Sequence, residues 1–281
     1  MNKFTKQQLL DIRESYINGE SSVKIGKRYG VSHKPILKEL HNMGIEVDQK
    51  RFARKYKIEE SFFDEINTPN KAYIMGLLHS DGSNNMNKST ISISLQEEDK
   101  DILEQIRTEI KSEKPLEFLD YSNKHDFGYT YKNQYRLTMF SKHMCKELNN
   151  KGITPNKSLT IGFPHWLDKE LLSHYIRGVY DGDGSIYRAY RNDNNLPITV
   201  TITATESFCK DLKDICNEEL NISAGIYDAS CHNGITKVFT LSGRNIAKKF
   251  LDWIYQDADL FLQRKYERYC KYYNINNSLS A

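Results

Sequence analysis

The chain has 281 residues, 27% charged and 38% hydrophobic, a balance that suits one or two globular domains and excludes a disordered chain. No apolar run approaches the ~20 residues a bilayer span requires. The N-terminus (Met1, Asn2, Lys3, Phe4, Thr5) turns polar at once, so neither a membrane span nor a secretory leader is expected. Cys145, Cys209, Cys216, Cys231 and Cys270 include no CxxC pair, which argues against a zinc site or a disulfide framework and for a reducing compartment. Net charge is +3, but residues 1–71 carry 14 Lys/Arg against 10 Asp/Glu while residues 72–281 sum to −1. Such a chain can still bind a polyanion if its basic groups gather on one face.

Residues 1–48 read as three short helices. Thr5 and Gln8 fit a capping box before the apolar stripe Leu9, Ile12, Tyr16 and Ile17, which stops at Gly19. Ser21 or Ser22 can cap a second helix bearing Val23, Ile25 and Tyr29. Gly30, Val31 and Ser32 then supply a turn and a cap for a third, marked by Ile36, Leu37, Leu40 and Met43 and closed by Gly44. Two short helices joined by a Gly-containing turn resemble a helix-turn-helix. His33 and Lys34 in the first turn of the last helix, and Lys38 one turn on, would then meet base edges and phosphates. A small packing or protein-binding unit is the alternative. Residues 49–70 are expected to form a basic linker. Its run from Lys50 to Lys57 packs five cations into eight residues, and Lys50, Arg51, Arg54 and Lys55 are candidate phosphate contacts.

From about residue 70 the chain repeats itself. Ile74-Met75-Gly76-Leu77-Leu78-His79-Ser80-Asp81-Gly82 returns as Ile176-Arg177-Gly178-Val179-Tyr180-Asp181-Gly182-Asp183-Gly184, so Asp81 and Asp183 lie 102 residues apart. Each unit precedes an alternating strand (Ile91 to Leu95; Ile198 to Ile202), an acidic helix start and an apolar stripe (Ile102, Leu103, Ile106; Leu212, Ile215). A further strand and helix follow (Tyr135 to Met139; Val238 to Ser242). The expected halves, residues 71–157 and 158–281, each run helix, two strands, helix, two strands, helix, an α+β architecture. One copy could not bury its sheet well alone, whereas two packed together could.

Gly76 and Ser80, and likewise Gly178 and Gly182, are small residues four apart on one helix face, a spacing that lets two backbones approach closely. Packing along those faces would bring Asp81 and Asp183 side by side at two helix C-termini. Each carboxylate there opposes a helix dipole and the other carboxylate, so something must compensate. A divalent cation with oxygen ligands does so, and phosphodiester hydrolysis uses such sites.

The two units resemble the nine-letter motif of the LAGLIDADG homing endonucleases, in the two-motif single-chain form. The second copy keeps the motif's glycines and both acidic positions; the first has His79 where the motif has its first aspartate. The resemblance covers about residues 70–275. It implies two pseudo-symmetric αββαββα halves forming a saddle on the DNA major groove. It also implies a metal-dependent double-strand break in a long asymmetric target, made by a monomer needing no protein partner. Asp81 and Asp183 would bind Mg²⁺, with Mn²⁺ able to substitute, and the backbone carbonyls of Ser80 and Gly182 would be supporting ligands. Repeat alignment puts Gln96 and Thr205 at the water-ordering position of the family. It puts Lys142 and Arg244, each 61 residues after its motif aspartate, at the position that offsets phosphorane charge. The basic groups of the tail from Phe261 to Tyr269 are expected to be solvated. Localisation is expected in the cytoplasm of a bacterial or phage-infected cell, or in an organelle. The rival functions are a helix-turn-helix regulator that binds DNA without cutting it, and an intron RNA maturase.

Overall fold

A computed structural model describes residues 4–47, 56–122, 125–126, 129–155, 157–188, 197–229 and 236–275. The chain divides into two compact units, residues 1–56 and 57–281.

In the first unit, α1 (Lys6–Ile17) opens on the complete Thr5/Gln8 capping box. Ser21 rather than Ser22 caps α2 (Ser22–Arg28), accepting from the Lys24 amide, while Ser22 is buried. The third helix, α3 (His33–Asn42), has Ser32 at its N-cap in extended geometry but without a side-chain cap bond. Phe4, Ile12, Tyr16, Ile25, Ile36 and Leu40 form the core of this unit. Between α2 and α3 the chain doubles back tightly: a Cβ at Gly26 would stand 2.8 Å from the Val31 carbonyl oxygen, and Gly30 takes φ +65°. Ile17, assigned from sequence to the apolar stripe of the first helix, and Val23, one of the apolar residues of the second, are instead 45% and 53% exposed. Lys50, Arg51, Arg54 and Lys55 lie outside the described residues.

The second unit contains two halves of one design. The first runs α4 (Pro69–Ser80), β1 (Gly82–Asn85), β2 (Thr90–Gln96), α5 (Lys100–Glu109), β3 (Glu117–Leu119), a small hairpin of β4 (His125–Asp126) and β5 (Tyr129–Thr130), β6 (Gln134–Phe140) and α6 (Lys142–Asn150). The second runs α7 (Leu172–Asp183), β7 (Gly184–Arg188), β8 (Ile198–Thr205), α8 (Glu206–Leu220), β9 (Gly225–Asp228), β10 (Thr236–Ser242) and α9 (Arg244–Tyr255), followed by α10 (Gln263–Tyr273). Both main sheets are antiparallel and share one topology, β1-β2-β6-β3 and β7-β8-β10-β9. This is the expected α+β pair of αββαββα halves.

Period-2 alternation sets which face of each sheet is covered. Ile91, Ile93 and Leu95 on β2 are buried and alternate with half-buried Ser92, Ser94 and Gln96. On β8 the same role falls to Ile198, Val200 and Ile202. Residues Ala72 to His79 of α4 are all buried, as expected of a helix apolar on every side. With Tyr175, Ile176, Val179 and Tyr180 of α7 they join both sheets into one continuous core. No described helix is long and apolar enough to cross a membrane.

Candidate active site

Thr68 caps α4 through the Lys71 amide and Pro69 occupies its first turn, where a missing N–H is harmless. Along the α4–α7 contact the two central glycines are reciprocal. A Cβ at Gly76 would collide with the Tyr175 carbonyl, and one at Gly178 with the Tyr73 carbonyl. One turn further on, Gly182 faces the Ser80 side chain, and its missing Cβ position is 3.2 Å from Asp81 Oδ2. The expected small-residue face is therefore the helix interface, and it delivers both motif aspartates to one place.

Asp81 is the C-cap of α4 and Asp183 the last residue of α7; strands β1 and β7 leave directly from the glycines that follow. Both aspartates remain open to solvent, yet the surrounding protein strips away part of their hydration. That crowding raises the Asp81 carboxyl against the pull of Lys265, Lys157 and Arg264. Crowding and the nearby Asp81 charge lift Asp183 to about 6. Two anions thus converge at two helix C-termini.

The compensating cations within the chain are lysines that sequence reading did not assign. Lys157 and Lys265 are 5% and 7% exposed, so both ammonium groups are taken out of water. Lys157 Nζ donates to the carbonyls of Ser80 (3.1 Å) and Gly82 (2.6 Å). Lys265 Nζ donates to those of Tyr180 (2.7 Å), Asp181 (2.7 Å), Gly184 (2.6 Å) and, more weakly, Gly182 (3.4 Å). Lys157 thereby satisfies the last carbonyl of α4, and Lys265 those of Asp181 and Gly182 at the end of α7, carbonyls that a helix leaves unpaired, while the Tyr180 carbonyl is shared with the Gly184 amide. Desolvation brings Lys265 down to about 8, opposed mainly by Asp181. Burial lowers Lys157 too, while Asp183 and Asp81 act to raise it.

These lysines follow their motif aspartates by 76 and 82 residues, so a search for equal spacing passes over them. The solvated tail expected from sequence is corrected here: Lys265 is buried, and Arg264 Nε pairs with both oxygens of Asp99 at 3.0 and 2.9 Å.

The first acidic position of each motif is occupied by a tie across the helix interface. Asp181 Oδ2 accepts from the Tyr73 hydroxyl at 2.9 Å, and its counterpart His79 is hydrogen-bonded through Nδ1 to the Tyr175 hydroxyl. His79 lies against the Phe208 ring at 4.8 Å, and burial lowers its pKa to about 3, so it is neutral. The histidine therefore keeps the interhelical tie without bringing a charge.

The charges that act most on the two aspartates do not include Lys142 or Arg244. Lys142 and Arg244 begin α6 and α9 and are exposed. Arg244 stacks over the Tyr273 ring at 5.3 Å, and its carbonyl accepts from the Tyr273 hydroxyl at 2.8 Å. Gln96 ends β2 beside Glu97 and Glu98 and accepts from Lys132 Nζ at 3.0 Å. Thr205 is buried as the N-cap of α8 and donates to the Ile161 carbonyl at 2.8 Å. His33, Lys34 and Lys38 are exposed on α3.

The donor set at the helix ends is two carboxylates and several backbone carbonyls. No cluster of three or more His, Cys, Asp or Glu side chains suited to a metal occurs among the described residues. Such a set fits a hard cation that retains much of its water, as Mg²⁺ does, and does not fit zinc. The Ser80 and Gly182 carbonyls, the expected supporting ligands, each accept from a lysine and keep one lone pair.

No protein-family model matches the chain. No curated protein matches it. Among solved structures it is similar to the meganuclease I-SmaMI bound to uncleaveable DNA (13% identity, 73% of this chain and 90% of that one, TM-score 0.46). It is also similar to the I-LtrWI LAGLIDADG homing endonuclease bound to target DNA (13% identity, 74% and 90%, TM-score 0.48). A third similar structure is the N-terminal LAGLIDADG domain of DUF199/WhiA (15% identity, 70% and 89%, TM-score 0.42).

Proposed function

We propose that the chain is a divalent-metal-dependent DNA endonuclease of the LAGLIDADG type, cutting both strands of a long asymmetric duplex site. The observation that carries this reading is the delivery of Asp81 and Asp183 to one solvent-open place by helices packed glycine to glycine. Two carboxylates raised by crowding, Asp183 also by the Asp81 charge, create a demand for positive charge that water alone does not meet.

In this reading Asp81 and Asp183 hold the cation, Mg²⁺ or Mn²⁺, with the free lone pairs of the Ser80 and Gly182 carbonyls as supporting ligands. When bound, the metal polarises a phosphate oxygen and lowers the pKa of a coordinated water. Lys157 and Lys265 keep the helix ends in register and supply fixed positive charge beside the phosphate position. Lys142, Arg244 and Gln96 are proposed to act on the phosphate and water only once DNA is seated.

His33, Lys34 and Lys38, with Lys50, Arg51, Arg54 and Lys55, contact flanking duplex. Linking that module to the cutting unit raises affinity through effective concentration. One chain supplies both halves of the site, which favours a monomer. Localisation follows as for any DNA-acting enzyme of a bacterial or phage-infected cell or an organelle.

A second reading, DNA binding without cleavage, draws support from the lysines that engage the Ser80 and Gly182 carbonyls. A randomised duplex library incubated with and without Mg²⁺ and sequenced at its cut ends separates the two. The endonuclease reading expects metal-dependent cuts at one long motif, abolished in Asp81→Asn and Asp183→Asn while DNA affinity in Ca²⁺ changes little. Recovery of bound but uncut DNA with the unaltered chain would overturn it.

A further inference from the structure

We propose that Asp181, assisted by Arg177, is a positioning residue: it pins the segment before α10 and so sets Lys265 in its cradle of carbonyls. The connection runs as a closed circuit of hydrogen bonds. Asp181 Oδ2 accepts not only from Tyr73 but also from the Leu262 amide, at 2.8 Å. Leu262 is the N-cap of α10, and its carbonyl takes the amides of Lys265 (3.0 Å) and Tyr266 (3.1 Å). Fixing the Leu262 backbone therefore fixes the first turn of α10, where Lys265 stands.

Arg177, fully buried on the same helix as Asp181, donates through Nε to the Leu260 carbonyl at 2.9 Å and through Nη1 to the Ile254 carbonyl at 2.7 Å. Its guanidinium lies over the Tyr73 ring at 5.3 Å. The segment that joins α9 to α10 is thus held to α7 at Leu260 and again at Leu262. Lys265 then closes the circuit by donating back to three carbonyls at the end of α7 and to that of Gly184, where β7 begins.

Packing alone does not account for a carboxylate and a guanidinium in this core. Neutral residues of similar volume fill space as well, and burying charge costs free energy that a merely filled core avoids. What the two charged groups add is direction: Asp181 Oδ2 bonds the Leu262 amide, and Arg177 Nε and Nη1 bond the Leu260 and Ile254 carbonyls, while Asp181 Oδ1 and Arg177 Nη2 are buried without a hydrogen-bond partner. Among the described residues the first half shows no counterpart: His79, at the position matching Asp181, is hydrogen-bonded to Tyr175, and its Nε2 is buried without a partner. Lys157 sits on a one-turn 3₁₀ helix (Lys157–Leu159) and reaches two carbonyls. The two lysines are therefore held by different means, Lys265 through Asp181 and Lys157 independently of that position.

The test is a brief acetylation pulse on the full-length protein, with each lysine read by mass spectrometry. In the unaltered chain Lys265 and Lys157 should react far more slowly than an exposed lysine such as Lys210, whose side chain is 64% exposed. Asp181→Ala should speed labelling of Lys265 by about tenfold or more, because two hydrogen bonds to a charged acceptor are lost, and leave Lys157 unchanged. Asp181→Asn, which keeps an acceptor oxygen for the Leu262 amide, should restore most of the protection. Unchanged labelling of Lys265 in Asp181→Ala, or an equal rise at both lysines, would overturn the proposal.

Should Asp181→Ala not fold, hydrogen exchange of the Leu262 amide in the unaltered chain decides: strong protection is expected, and exchange at the rate of a free loop amide refutes. The consequence for cutting rests on the proposed endonuclease reading, and strand-resolved nicking checks it. Asp181→Ala should slow one strand and spare the other. If no strand is cut even by the unaltered chain while the labelling pattern holds, the positioning role stands and only the endonuclease reading falls.

Discussion

Replacing Gly178 by alanine places one methyl group at the α4–α7 contact. Built on the existing backbone, that Cβ would lie 2.7 Å from the Leu77 amide nitrogen, 3.0 Å from the Gly76 carbonyl carbon, and closer still to the Tyr73 carbonyl oxygen. All three neighbours are main chain, so no side chain can swing aside. Restoring even a 3.4 Å contact to Leu77 requires the helices to part by about 0.7 Å, and the carbonyl demands more. Overpacking of this kind costs ~1–3 kcal/mol, and parting the helices also loosens the buried side chains beside them, whereas alanine returns ~1 kcal/mol of helix propensity. The net expectation is a loss of about 2 kcal/mol, which in a unit of this size lowers the melting temperature by roughly 4–8 °C. Thermal and urea unfolding followed by circular dichroism measure it. Gly162→Ala, where nothing lies within 4 Å of the added Cβ, serves as the control and should stay within ~0.5 kcal/mol of the unaltered chain. Equal melting of Gly178→Ala and the control would refute the backbone-to-backbone interface, and with it the reason the two aspartates meet.

Asp183 has its pKa raised from 3.8 to about 6, so the native state binds that proton more tightly than the unfolded chain. Its ionisation weakens the fold as pH rises between those values. In the absence of divalent cations Asp183→Asn should therefore melt above the unaltered chain at pH 7.5, and the gap should close by pH 3.5. His79→Asp, expected from the sequence to be tolerated because that position is not assigned to the metal, should instead cost ~1–3 kcal/mol at pH 8, because it puts a carboxylate into a site built for a neutral ring. The deficit should shrink as pH falls below the point where that carboxyl takes up a proton, which pH-dependent urea midpoints would reveal. Deleting residues 1–56 removes a compact unit with its own core. The remainder should stay folded and bind duplex more weakly, and the salt dependence of log K should become shallower by about 0.9 for each phosphate that the deleted unit neutralises. An unchanged salt slope would remove DNA contact from that unit.

Features that depend on local pattern could be read from the order of residues alone. Residues four apart on a helix share a face whatever surrounds them, so Gly76 with Ser80 and Gly178 with Gly182 already marked the interface that the structure forms. Alternation along Ile91 to Leu95 and Ile198 to Ile202 likewise marked the covered face of each sheet, since the pleat has a period of two. The capping box at Thr5 could be read directly because its partners are three residues apart. Which distant residues reach the aspartates, by contrast, is settled only by how the chain folds back on itself. Lys157 and Lys265 stand far along the chain at unequal intervals, and nothing in their neighbours distinguishes them from solvated lysines. Their burial follows from the path of the chain after the last strand of each half, which brings an ammonium group to carbonyls that a helix end must leave unpaired, those of Ser80 and Asp181. The same holds for Asp181: as a letter in a motif it repeats the role of His79, and only the arrival of the Leu262 amide gives it a different one.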